Sequence, residues 1–230
     1  MSLNAVPVHS VPNAMSDEVQ KYFEHSREEM LQFIPSSAQS VLEVGCGAGV
    51  FGRNLKRIRG CRVVGIELNS DAAQQAKQHL DDVYCLSVDD VDFMELGYFD
   101  TIVFNDVLEH LKDPWGVLCR AKAALNPDGR IVASIPNVRF FPVIRDLIIK
   151  ADWVYQDSGV LDKTHLRFFT KNSIEHLFEQ SGMTVDVIEG VGWNQLPLIM
   201  RAINRLSGGM FEDMYYMQHA VVAKLNCASS

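Results

Sequence analysis

Two acids and a run of glycines are the first residues in this chain whose types and spacing point to chemistry. Glu43-Val-Gly-Cys-Gly-Ala-Gly49 puts glycines at 45, 47 and 49, where backbone N–H groups and Cα atoms can approach a ligand with no Cβ in the way. Gly47-x-Gly49-x-x-Gly52 also satisfies the G-x-G-x-x-G pattern of a dinucleotide turn. Glu67 follows Gly49 by 18 positions, and an acid there can accept both ribose hydroxyls of a nucleoside. Glu43 then selects the nucleoside. A carboxylate beside a pyrophosphate is repelled, and one beside a cationic ligand is attracted. S-adenosylmethionine carries a sulfonium, an ammonium and no phosphate.

These residues need a scaffold, and the pattern of the chain supplies one. Ser40–Val44 predicts a short buried strand, Gly45–Gly49 a turn, and 50–58 a helix. Strands come next at 62–66, 82–86, 99–104 and 130–135, with helices at 70–80, capped by Ser70-Asp71, and at 114–125. Asn126-Pro-Asp-Gly129 reads as a turn whose glycine takes a positive φ. Strand and helix thus alternate across 40–135, which predicts an α/β fold: a Rossmann-like doubly wound sheet, mostly parallel. An antiparallel C-terminal strand is expected among 183–189 and 218–225. A helix from Thr170 to Gln180 ends near Gly182, a natural C-cap. Residues 140–167 read as irregular and aromatic, and Leu196–Leu206 as an amphipathic helix with Arg201 and Arg205. An earlier amphipathic helix is expected over Ser16–Ile34, after a leader at Met1–Met15. The domain division is therefore a leader at 1–15 and one domain over 16–230. Within it, 40–135 is the ligand-binding core, and 137–170 and 190–216 form a lid on the acceptor side.

With these elements in order, the chain resembles the class I S-adenosylmethionine-dependent methyltransferases. Val41–Gly49 looks like their first motif and Val64-Gly-Ile-Glu67 like their second. Ser87-Val-Asp-Asp90, Phe99–Leu111 and Leu125–Arg130 are similar to the segments after the third strand, at the fourth strand and before the fifth. Beyond 136 the likeness narrows to Asp162–Phe169, which resembles a segment in members acting on small molecules, quinone precursors or surface-glycan precursors. The resemblance implies that S-adenosylmethionine is the cofactor. It implies that Gly45, Gly47 and Gly49 pass under the methionine and ribose and that Glu43 faces the ammonium. Glu67 takes the ribose diol, Leu68 packs on the adenine, and Val88 and Asp89 read its edge. Asn105 lies beside the methionine. One departure stands out: Leu86-Ser87 occupies the place where relatives often carry Gly-Asp.

Methyl transfer from a sulfonium is an in-line displacement, so alignment supplies much of the rate. An alcohol or ammonium acceptor must also lose a proton, and His is the natural base near neutral pH. His110, one helical turn past Asn105, and His165, in the irregular segment, are the catalytic candidates, both expected to face the methyl group beneath a roof of residues 137–170. The competing role for each is structural: a backbone-bonded helix start for His110, and a packing residue tied to Asp162 for His165. Glu109 neighbours His110 and can instead point at the sheet. Asn137 and Arg167 are candidates for binding the acceptor, although Arg167 can equally hold Asp162. Tyr22 can close over the ligand. His9, His25, His79, His176 and His219 read as structural, and Cys46 as a small packed thiol in the turn.

Several classes fall away on composition and motif. Asn105-Asp-Val-Leu stands where amide or base-nitrogen methylation would want Asn-Pro-Pro-Tyr, and no Cys follows strands four or five. A formal charge of −8, from 21 Lys plus Arg against 29 Asp plus Glu, argues against general nucleic-acid binding. The five cysteines are scattered, which fits a reduced, cytoplasmic protein. The seven histidines are too far apart in sequence to suggest a metal site. No apolar run approaches the ~20 residues of a membrane span, although the aromatic segment and Leu196–Leu206 can touch a membrane surface or a lipid-linked acceptor. The expected activity is O- or N-methylation of a small molecule, and the expected partner is a small-molecule acceptor, with a glycan or lipid-linked precursor among the options. A nicotinamide-dependent oxidoreductase, which Glu43 opposes, and a non-catalytic S-adenosylmethionine-binding module are the alternatives.

Overall fold

The computed structural model describes residues 26–226. The expected leader, Tyr22 and residues 16–25 of the first expected helix lie outside them. Within the described part of that helix the chain forms a single 3-10 segment, Glu28–Phe33.

Among the described residues the sheet has seven strands: β1 (Ser40–Val44), β2 (Arg62–Glu67), β3 (Asp82–Cys85), β4 (Phe99–Asn105), β5 (Leu125–Pro136), β6 (Met183–Trp193) and β7 (Tyr216–Leu225). Their spatial order is β3-β2-β1-β4-β5-β7-β6. All neighbours pair in parallel except β5 with β7 and β6 with β7, so β7 is the antiparallel strand. β1 and β4 are central and buried on both faces, as their continuous Val, Leu, Ile and Phe runs require. The chain winds outward from β1 through β2 to β3, then returns to β4 on the other side. The strand order therefore reverses between β1 and β4, and their carboxyl ends diverge into a crevice.

Helices cover both faces: α1 (Val50–Arg59), α2 (Ser70–Ala76), α3 (Pro114–Ala121), α4 (Phe141–Ile149), α5 (Lys171–Gln180) and α6 (Leu198–Leu206). One apolar layer packs α3 and α5 against the sheet through Leu118, Ile174 and Phe178, and the other packs α1 through Phe51 and Leu55. Asn69, one residue before the expected cap, is the cap of α2, with its side chain accepting from the Asp71 and Ala72 amides. Thr170 and Ser173 form a reciprocal capping box on α5, and Gly182 beyond it has φ +76°.

Two expectations need correction. Phe141–Ile149 is not irregular: Pro142 lies in the first turn of α4, where no intrahelical N–H is needed, so it starts the helix. Asn126–Gly129 is not a turn leading into the fifth strand. It bulges within β5, where pairing jumps from Leu125 opposite Phe99 to Arg130 opposite Thr101. Gly129 does not have a positive φ. Its lack of a side chain serves close approach instead, since a Cβ would lie 2.9 Å from the Asn126 carbonyl.

Candidate active site

A cavity of about 370 Å³ opens at the carboxyl ends of β1, β2 and β4. Glu43, Gly45, Gly47, Glu67, Leu68, Val88, Asp89 and Asn105 all line it, together with Leu86, Ser87 and His110. Gly49 stands just outside, as the left-handed N-cap of α1. Gly45 has φ +69°, and a Cβ on it would lie 2.6 Å from a Val107 methyl. Only glycine satisfies both the backbone angle and the space there.

The two acids have different environments. Glu67, at the end of β2, accepts from the Gly47 amide at 2.9 Å and the Asn69 amide at 2.8 Å. Its carboxylate thus ties the glycine turn to the start of α2 at the cavity wall. Glu43 is nearly fully buried, and its Oε2 has no hydrogen-bond partner. Burial pushes its pKa up to about 8, and the neighbouring Glu67 charge adds to the shift. Gly52 makes this burial possible, since a Cβ there would lie 2.8 Å from Glu43 Oε2. Asn105 likewise has neither amide atom partnered. Two residues with unpartnered buried polar atoms thus line one cavity, which suits a polar, cationic ligand. An S-adenosylmethionine-like molecule fits this donor and acceptor set. Cys46 is buried beside them, and burial with the Glu43 charge pushes its thiol up, so it stays a neutral packing residue.

The edge of the cavity holds a network that the sequence did not suggest. Asp106, at φ +53°, forms an ion pair with Arg27. Arg27 also donates to Gln218 Oε1 at 2.8 Å, while Gln218 Nε2 and Ser134 Oγ donate to Asp106 Oδ1 at 2.8 and 3.0 Å. Four segments far apart in sequence meet here. Asp106 was visible as the residue after Asn105, but no spacing rule connects it to Arg27.

The histidines come together. The His110 and His165 rings stand edge to face with centroids 4.7 Å apart. His110 lines the cavity and is anchored through Nδ1, 3.3 Å from the Thr164 carbonyl and 3.2 Å from its hydroxyl. His165 is not at the cavity wall. It is buried behind His110, with Nδ1 3.1 Å from the Val160 carbonyl and Nε2 3.9 Å from Glu109 Oε1. Burial lowers the pKa of both rings, which favours the neutral imidazoles. Glu109 is fully buried with both carboxylate oxygens unpartnered, and burial pushes its pKa up to about 8. Donor atoms of Glu109, His110 and His165 all lie within 4.8 Å of one another, close enough to share a metal ion. Linear spacing hid this cluster, because His165 lies 55 positions after His110 and returns only through the fold.

The acceptor-side candidates fall elsewhere. Asn137 is fully buried. Its amide donates to the Asp213 and Tyr216 carbonyls and its oxygen accepts from the Arg139 amide, so its bonding capacity joins β5 to the start of β7. Arg167 donates to the Lys112 and Leu166 carbonyls rather than to Asp162, whose carboxylate instead accepts from Thr164. No residue of 137–170 lines the cavity. That segment packs on itself around Val143, Val160 and Leu161 with Trp153 and Phe168, and reaches the site through Thr164.

Comparison with known proteins agrees with this geometry. The family described as "Methyltransferase domain" matches residues 8–187. A ubiquinone biosynthesis O-methyltransferase from Chromobacterium violaceum is 25% identical over 169 residues, covering 71% of this chain and 72% of its own. A SAM-dependent methyltransferase from Archaeoglobus fulgidus has the same fold, with TM-score 0.61 and 18% identity over 89% of this chain and 97% of its own. So has the magnesium protoporphyrin IX methyltransferase of Synechocystis with bound SAH, at TM-score 0.59 and 13% identity over 90% and 83%. The nicotinamide-dependent and non-catalytic alternatives are set aside. The buried carboxylate among glycines, the crevice between β1 and β4 and the family match agree: the chain belongs to the methyltransferase-domain family and is a class I S-adenosylmethionine-dependent methyltransferase.

Proposed function

We propose that this enzyme O-methylates a hydroxyl of a small, quinone-precursor-like acceptor, with His110 taking the hydroxyl proton. The carrying observation is the His110 ring at the cavity wall, backed by buried His165 and Glu109. S-adenosylmethionine, when bound, supplies a methyl group on a sulfonium. Glu43 and Asn105 hold the amino-acid end, Glu67 accepts from the ribose diol, Leu68 covers the adenine face, and Val88 and Asp89 meet its edge. Gly45, Gly47 and Gly49 let the backbone lie close beneath.

Donation from His110 Nδ1 to the Thr164 carbonyl leaves Nε2 as the basic nitrogen. His165 acts as a positioning residue, fixing the His110 ring from behind. Arg167 and Asn137 are supports of the acceptor loops. The relatives whose names specify O-methyl transfer in ubiquinone biosynthesis favour oxygen over nitrogen as the methylated atom. A glycan or lipid-linked acceptor has no counterpart in those names. Among the described residues no helix is long and apolar enough to cross a membrane. The scattered cysteines support a cytoplasmic location.

One observation favours a second reading of the same cluster. Both oxygens of Glu109 are buried without partners, and a carboxylate with two imidazoles suits a divalent cation. A cation there would acidify the acceptor hydroxyl instead of His110 removing its proton. Turnover with a panel of catechols and hydroxyquinols, before and after chelation, separates the two. Activity that survives chelation but drops roughly 10²–10⁴-fold in His110→Ala supports the base. Activity lost on chelation and restored by one metal supports the cation. Methylation confined to amines would overturn both.

A further inference from the structure

Helix α6 is oriented against the usual rule. Leu198, Ile199 and Leu206 are 78%, 69% and 88% exposed, while the residue it buries is Asn204, at 6%. A surface helix ordinarily turns its apolar stripe to the core. Here polar bonds fix the opposite face inward: Asn204 Nδ2 donates to Glu212 at 2.7 Å, and its oxygen accepts from the Phe211 amide at 2.8 Å. The aliphatic side chains are therefore held outward by specific contacts.

The charge of this face is also unlike the rest of the chain. Helix α6 itself contains Arg201 and Arg205 and no Asp or Glu, although the whole protein carries −8, and Glu212 beyond it is turned to the buried Asn204 side. Both arginines are exposed on α6. Just before the helix, exposed Trp193 stacks on Tyr215 with centroids 6.3 Å apart and planes 7° from parallel. Exposed leucine and isoleucine, an amphipathic aromatic and cations of one sign are what a negatively charged lipid interface selects.

We propose that α6, with Trp193, is a docking surface for an anionic lipid bilayer. Leu198, Ile199 and Leu206 enter the headgroup boundary, and Arg201 and Arg205 meet lipid phosphates. A second copy of the chain is a poorer occupant, because a two-fold contact through α6 would set these arginines against each other with no acid on the helix to pair them. The surface also hangs from the end of the sheet where the cavity opens. The start of β7 pairs with the end of β5, Gln218 opposite Pro136, and Gln218 reaches Asp106 at the cavity edge.

Flotation of the full chain with phosphatidylcholine vesicles, with and without phosphatidylglycerol, tests this. The protein is expected to float with the anionic vesicles at low salt and to stay behind with the neutral ones. Ile199→Ser combined with Leu206→Ser should abolish flotation, and Arg201→Gln should weaken it about fivefold. Both variants should bind S-adenosylhomocysteine like the parent, which shows that they fold. Failure of the parent to float with anionic vesicles overturns the proposal, as does equal flotation of the double variant. Self-association of the parent in sedimentation equilibrium that the double variant loses would assign the face to a second copy and overturn it too.

Discussion

Cofactor binding should release a proton, and Glu43 should be its source. The carboxyl is buried beside the Glu67 charge, and its pKa is pushed up to about 8. At pH 7 such a group is about nine-tenths protonated. A ligand ammonium beside Glu43 favours the carboxylate, so its pKa falls on binding and about 0.9 proton leaves at pH 7. Linkage sets the sign: the complex holds fewer protons than the free enzyme, so affinity rises with pH. The gain is roughly tenfold per unit between pH 6 and 7 and fades above pH 8, where the free enzyme is already ionised. Ionising the group at pH 7 opposes binding by about 1.4 kcal/mol.

Calorimetry with S-adenosylhomocysteine in buffers of different ionisation enthalpy measures the proton directly. Methylthioadenosine, which has the nucleoside and lacks the ammonium, is the control, and it should release none. Glu43→Gln should bind S-adenosylhomocysteine with no proton release and little pH dependence over the same range. Heats independent of buffer for the parent enzyme would refute the assignment of the ammonium to Glu43. Equal release with methylthioadenosine would place the titrating group elsewhere.

Glu67→Ala should lower cofactor affinity at least tenfold, and calorimetry reads it. It should also cost about 1–3 kcal/mol of stability in chemical denaturation, because the Gly47 and Asn69 amides lose their acceptor. Gly52→Ala should lower the melting temperature despite alanine's better helix propensity, since its Cβ would lie 2.6 Å from Leu80 and 2.8 Å from Glu43; overpacking of this kind typically costs about 1–3 kcal/mol. If His110 is the base, turnover should fall on the acid side with a midpoint below the ordinary imidazole value, because burial lowers its pKa. A pH–rate profile with its acid limb above pH 7 would contradict that.

The proposed cofactor half of the site was legible as a cavity lining because it is local. Gly45, Gly47 and Glu43 sit within five residues, on one strand end and the turn after it, and Glu67 ends the next strand over, whose register with β1 is parallel and unbroken. Strand periodicity alone therefore fixes which side chains share a crevice. The acceptor half was less legible because it depends on long returns of the chain. His165 is expected to face the methyl group, yet it lies buried behind His110, where Leu166 and Arg167 donate to the Glu109 carbonyl at 2.8 and 3.0 Å. Nothing in linear spacing announces that pairing. Asn137 misled for a related reason. A residue just past a strand end faces the crevice only if its side chain is free, and the return of β7 consumes it.

Asp106 joins the two halves. Its left-handed backbone costs of order 1–3 kcal/mol for a non-glycine residue, so its surroundings must hold it there. Ser134 does so from β5, bonding the Asp106 amide and carboxylate, and Gln218 and Arg27 do so from β7 and the N-terminal segment. The turn it makes carries the chain from Asn105, which lines the cavity, to His110 at the cavity wall, with Glu109 buried behind it. Releasing this turn should therefore disturb alignment more than binding. Asp106→Asn keeps the tolerance for a left-handed backbone and loses the Arg27 charge pair. It is expected to leave S-adenosylhomocysteine affinity within about threefold while turnover falls by roughly tenfold or more, since a displacement of about 1 Å at the reacting groups can cost a hundredfold. A matched loss in affinity and turnover would make Asp106 part of the cofactor site instead. An unchanged enzyme would show that Ser134 and Gln218 hold the turn without Arg27.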